Sequence, residues 1–119
     1  MANWNGWPKD LVNTHDEVFL TQATNWLLDR LPGEFRGSEI RSDPWALAWV
    51  LQGVIEGQIE VFRRLYGTAR GQATTSNMHY LLESLSTVGA MLVKTQREVN
   101  LVAAALESNS GVTTDTRLE

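Results

Sequence analysis

Residues 81–106 read LLESLSTVGAMLVKTQREVNLVAAAL and carry the most regular apolar pattern in this 119-residue chain. Seven of the eight residues that recur at alternating steps of four and three are aliphatic. The eight are Leu81, Leu85, Val88, Leu92, Thr95, Val99, Val102 and Leu106. Steps that average 3.5 residues keep one apolar stripe facing a neighbouring helix along its whole length. The pattern therefore predicts a long helix that packs against another helix as in a coiled coil.

The helix that precedes this stretch is marked by its own start signal. Asp43 is a favoured N-cap, and Pro44 at the first helical position loses no hydrogen bond. All three prolines lie at or before Pro44, and no segment alternates apolar and polar residues long enough to indicate a strand. We predict an all-α protein in which helices 44–70 and 77–107 are joined by a short turn into an antiparallel hairpin.

A shorter helix is predicted near the N-terminus, over residues 14–31. Thr14 and Glu17 fit a capping box, and the helix dipole favours carboxylates near a helix start, so the neighbouring His15, Asp16 and Glu17 do not indicate a catalytic site. Pro32 and Gly33 end the helix, and residues 32–42 read as an exposed loop.

The three predicted helices differ in length. At 1.5 Å per residue the hairpin helices are about 40 and 46 Å long, whereas the first helix covers only about 26 Å. Apolar surface at one end of the hairpin therefore has to be shielded by the N-terminal segment or by a second molecule. We expect a homodimer that completes a helical bundle.

Composition places the chain among globular proteins, with 43% apolar and 20% charged residues. Residues 1–107 are expected to form one helical domain. Residues 108–119 are polar and read as a disordered tail whose last two residues resemble a cloning scar. The net charge of −4 argues against nucleic acid, no apolar run approaches the ~20 residues of a membrane span, and no signal peptide is recognisable. We expect a cytoplasmic protein.

The second helix has a broad apolar face that is predicted to meet the third. Its members are Leu47, Val50, Leu51, Val54, Ile55, Ile59, Val61, Phe62, Leu65 and Tyr66. Gln58 falls in the middle of this face, where a buried amide needs a hydrogen-bond partner. Thr95 is one candidate partner, and water or a backbone carbonyl beside a gap is the other.

The opposite face of the second helix is not a simple polar stripe. Glycine inside a helix costs ~1 kcal/mol relative to alanine, so Gly53 and Gly57 suggest that another backbone comes close. Tryptophans beside them suggest an anchor for a partner. The candidate partner-binding residues are Trp45, Trp49, Gly53 and Gly57. The alternative is that the first helix or the N-terminal arm, with Trp4 and Trp7, covers this face within the chain.

No catalytic, cofactor or metal site is predicted. The pairs Glu56/Glu60 and His79/Glu83 lie one turn apart but lack the Glu-x-x-His motif of di-metal bundles. Residues 67–71 lack the lysine and the preceding strand of a phosphate-binding loop. We therefore expect a protein–protein interaction or assembly module without catalytic activity. The alternative is a bundle that binds a small molecule in a tryptophan-lined apolar pocket.

Overall fold

The computed structural model describes residues 6–12, 16–72 and 76–109. Within these ranges the chain forms three α-helices and no strand: α1 (Glu17–Arg30), α2 (Pro44–Gly71) and α3 (Ser76–Asn109). A short 3-10 helix, Gly33–Gly37, lies in the stretch expected to be a loop. Helices α2 and α3 pack as an antiparallel hairpin, and α1 packs on the hairpin. The predicted all-α hairpin with a shorter N-terminal helix is confirmed.

The start of α2 follows the sequence signal. The Asp43 carboxylate accepts a hydrogen bond from the backbone N–H of Ala46 at 3.1 Å, and Pro44 is the first helical residue. At the other end Gly71 is still helical, and the C-cap is Gln72, whose N–H bonds back to the carbonyl of Ala69. The helix therefore runs one residue further than predicted.

Helix α1 begins later than the capping-box pattern predicts. Its N-cap is Asp16, whose carboxylate accepts from the backbone N–H of Phe19 at 3.2 Å. Thr14 lies outside the described residues. Aspartate caps a helix at least as well as threonine, so the later residue of the cluster takes this position.

Helix α3 extends beyond both predicted ends. It includes Ser108 and Asn109, which the sequence analysis assigned to the tail. The predicted disorder of residues 110–119 concerns residues outside the described part of the chain. Alanine has the highest helix propensity, and the run 103–105 carries the helix into these last residues.

The dry core lies where α1 covers the hairpin. Its best-buried members come from all three helices: Phe19, Ala23 and Leu27 of α1, Leu47 and Leu51 of α2, and Val99, Val102 and Leu106 of α3. We call this part, with α2 residues 44–57 and α3 residues 94–109, the proximal half. The distal half, α2 residues 58–71 and α3 residues 76–93, ends at the turn between the two helices.

Burial along the seam of α3 changes from one half to the other. Leu81, Val88, Thr95 and Val102 lie seven residues apart in one row, so they share one side of the helix. Leu81 is 42% exposed and Val88 39%, Thr95 is half-buried, and Val102 is completely buried. Helix α1, at 14 residues, spans about 21 Å, whereas α3, at 34 residues, spans about 51 Å. Among the described residues, therefore, α1 leaves one end of the hairpin uncovered, which agrees with the comparison of helix lengths.

The interpretation of Gln58 as a buried amide is wrong. Gln58 is exposed, and Ile59 takes the inward position with 7% of its surface exposed. The buried residues of α2 advance in steps of four from Leu47 to Ile59, so Gln58 lies to the side of the row and needs neither Thr95 nor a buried water. Val61 and Leu65, also predicted to face α3, are 45% and 48% exposed.

We expect Val102→Ala to lower the free energy of unfolding by about 2 to 3 kcal/mol, because it removes buried methyl groups and leaves a cavity. Val18→Ala is the matched control, since Val18 is 52% exposed and its truncation should change stability by less than about 0.5 kcal/mol. Urea denaturation followed by circular dichroism measures both. Equal losses would contradict the proximal core.

Candidate protein-interaction surfaces

Trp45 is engaged within the chain. Its indole N–H donates to the backbone carbonyl of Leu106 at 2.8 Å, which joins the start of α2 to the end of α3. Leu20 and Thr24 of α1 line the same cavity as the Trp45 ring. The side chain is half-buried, so Trp45 fits the alternative in which this face is covered by other parts of the same chain.

Trp49, one turn further along α2, has a different environment. It is 75% exposed, and Gly53 and Gly57 follow it at steps of four on the same side of the helix. A Cβ placed on either glycine meets no atom within 4 Å. Among the described residues, therefore, no other backbone makes the close approach that the glycines suggest. We call Trp49, Gly53 and Gly57 the Trp49 surface.

The described part of the N-terminal segment packs elsewhere. The Trp7 indole N–H donates to the carbonyl of Leu11 at 2.8 Å, and its ring lies 6.1 Å from that of Phe19. A Cβ on Gly6 would lie 3.5 Å from the side chain of Leu101 on α3. Trp4 lies outside the described residues. Residues 6–12 thus cover α1 and α3 and leave Trp49 exposed.

A polar cluster that the sequence analysis missed fastens this segment to α1. Asp10 accepts a hydrogen bond from the Trp26 indole at 3.1 Å and lies 3.8 Å from the guanidinium of Arg30. The Arg30 guanidinium also stacks 3.8 Å from the centre of the Trp26 ring. These contacts explain how a short segment without helix or strand stays on the protein surface.

The distal half carries the largest set of exposed apolar side chains among the described residues. We call this set the open face: Val61, Leu65, Tyr80, Leu81, Val88 and Met91, which are 39–68% exposed. Val61 lies fourteen residues, two heptads, after Leu47, and Val88 lies two heptads before Val102. Both proximal residues are fully buried, so the open face continues the rows that become core where α1 is present.

The sequence placed four of these six side chains in helix-to-helix seams and missed Tyr80 and Met91. The difference in helix length was the signal that an end would be bare. Which residues lie at that end depends on where α1 docks, and α1 is far from the distal half along the chain.

Three tryptophans of the described residues line cavities, but no two of them line the same one. Trp7, Trp45 and Trp49 line three separate cavities. A cavity of about 330 Å³ between α2 and α3 in the distal half is lined by Phe62, Tyr66 and Leu85, with no tryptophan. The alternative of a tryptophan-lined ligand pocket gains no support from this arrangement and stays a hypothesis.

The described residues offer neither a metal site nor a membrane-spanning helix. No three of their His, Asp and Glu side chains come close enough to hold a metal ion. None of their helices combines the length and apolar character that a membrane crossing requires. No protein-family model, curated protein or solved structure matches the chain significantly.

We expect Gly53→Ala and Gly57→Ala each to raise the free energy of unfolding by about 0.5 to 1 kcal/mol, because both glycines are helical and have free space around them. Gly6→Ala is the contrasting control. Its φ of +90° strains any residue with a Cβ, so this variant should lose stability. Thermal denaturation compares the three. A loss at Gly53 or Gly57 would mean that another backbone contacts them in solution.

Proposed function

We propose that the protein is a helical protein–protein interaction or assembly module that forms a homodimer and has no catalytic role. The observation that carries this proposal is the open face. Its six side chains expose on the order of 500 Å² of largely apolar surface, near the upper end of what a monomer shows in one patch. Burial of such a surface is favourable by ~25 cal/mol per Å², so a contact that covers it stabilises the protein.

The positions of the polar side chains support a protein without a catalytic role. Of the two polar side chains that the sequence placed between α2 and α3, Gln58 is exposed and Thr95 is only half-buried, so they do not form a buried polar cluster. An active site needs convergent polar groups in a concave, dry environment.

The Trp49 surface is the second part of the proposal. Exposed tryptophan is enriched among the residues that dominate binding energies, and glycines four residues apart let a partner helix approach closely. We propose that this surface receives a partner protein. Trp45, which the sequence grouped with it, supports the surface from within the fold by its bond to Leu106.

The homodimer is tested by sedimentation velocity over micromolar concentrations. The wild type should show twice the 13.3 kDa chain mass. Val61→Glu should raise the dimer dissociation constant at least about 100-fold, because a carboxylate would be buried without a partner. Val18→Glu is the matched control, with the same change at a similarly exposed valine of α1, and should leave the dimer intact. A wild type that sediments as a monomer throughout contradicts the proposal.

The Trp49 surface is tested by affinity capture from the native cell. Trp49→Ala should lose a specific bound protein while it keeps the helical circular dichroism and unfolding midpoint of the wild type, since the side chain is mostly exposed. Thr21→Ala, an exposed change on α1, is the control and should keep the bound protein. If Trp49→Ala and Thr21→Ala capture the same proteins, the proposal that the Trp49 surface binds a partner is contradicted.

A further inference from the structure

We infer that the open face binds the open face of a second copy of this chain in antiparallel orientation, so that each hairpin tip lies beside the end of the partner's α1. This inference rests on the proposed homodimer and adds to it the residues in contact and the direction of the two hairpins. It predicts a central bundle of four helices, α2 and α3 from each copy, with one α1 beyond either end.

The position of α1 decides the direction. In the proximal half, α1 and residues 6–12 occupy the side of the hairpin on which the open face continues. Two hairpins that met on this side in parallel would bring both copies of α1 into the same space. An antiparallel pair instead places each distal half on the partner's distal half, where α1 is missing.

The lengths of the segments agree with this arrangement. Helix α2 has 28 residues and spans about 42 Å, whereas the 14 residues of α1 span about 21 Å, so α1 can lie along only about half of α2. A partner's distal half therefore fills the part of the side that α1 leaves bare. In the antiparallel pair the two-fold axis passes between Val61 and Leu65 and close to Val88. Each apolar row then meets the same row of the partner, as a two-fold interface requires.

The charges at the rim of the open face also match. Glu83 and Lys94 are exposed and lie eleven residues apart, three helical turns, so they share one edge of α3. Glu83 follows Tyr80 by three residues and Lys94 follows Met91 by three, which puts them at opposite ends of the open face. Antiparallel pairing brings Glu83 towards Lys94 of the partner subunit, and the two-fold axis repeats this pair.

The area is sufficient for a specific contact. Two open faces together remove on the order of 1,000 Å² from water, which is the lower bound for specific protein interfaces. Residues 110–119 are a poorer occupant, because Val112 and Leu118 are their only aliphatic side chains and the open face presents six apolar ones.

Single-cysteine crosslinking tests the geometry, because the chain has no cysteine of its own. The Leu65→Cys thiol lies close to the two-fold axis, so a short bismaleimide should join it to the same thiol of the second copy. This crosslink should form at least about ten times faster than the corresponding crosslink in Gly67→Cys. Gly67 is the matched control, since it is exposed two residues away on the other side of α2 and has free space for a Cβ. If both cysteine variants sediment as dimers and crosslink at equal rates, the antiparallel arrangement is wrong, whereas the homodimer itself is not contradicted.

A charge swap tests the direction independently. Glu83→Lys and Lys94→Glu should each weaken the dimer about fivefold by placing like charges opposite each other, and the double variant should restore wild-type affinity. A double variant that is weaker than both single variants overturns the antiparallel pairing.

The remaining outcomes separate the two proposals. A wild type that is monomeric at every concentration refutes both of them. If, in addition, the Leu65→Cys thiol resists alkylation, a segment outside the described residues covers the open face instead of a second copy.

Discussion

The contact between α1 and one half of the hairpin is the constraint on which the rest of this structure depends. The best-buried side chains lie where the three helices meet, and there Phe19, Leu27 and Leu51 are almost completely buried. Helix α1 ends after 14 residues, so the same apolar rows of α2 and α3 become protein surface further along. One short helix thus divides a continuous seam into a core and a candidate interface.

Trp45 and Trp49 illustrate how position relative to α1 and α3 sets a role. The Trp45 indole reaches the carbonyl of Leu106, which belongs to the last turn of α3, where carbonyl groups have no partner within the helix. Trp49 lies one turn away along α2, and no comparable hydrogen bond to its ring is found in the described part of the chain, where it is mostly exposed. Both residues are tryptophans of α2, yet Trp45 stabilises the fold and Trp49 is available to a partner.

Predictions from the sequence were accurate where the signal was local. Asp43 and Pro44 predicted the start of α2, and the heptad rows predicted the pairing of α2 with α3. The prediction that Gln58 is buried was wrong. Whether Gln58 or Ile59 faces α3 depends on how the two helices cross, and the spacing of apolar residues does not specify the crossing. The sequence also could not show that Trp45 is half-buried and Trp49 exposed, since the burial of each depends on contacts with residues distant in the chain.

Helix positions, the hairpin and the mismatch in helix length were determined by the sequence itself, because periodicity, caps and chain length act within a few turns. Only the tertiary structure decided which half of the seam is dry, which tryptophan is exposed and which apolar residues form the open face. Burial at a residue depends on whether another segment reaches it, and that follows from where α1 docks, which the local spacing of residues does not specify.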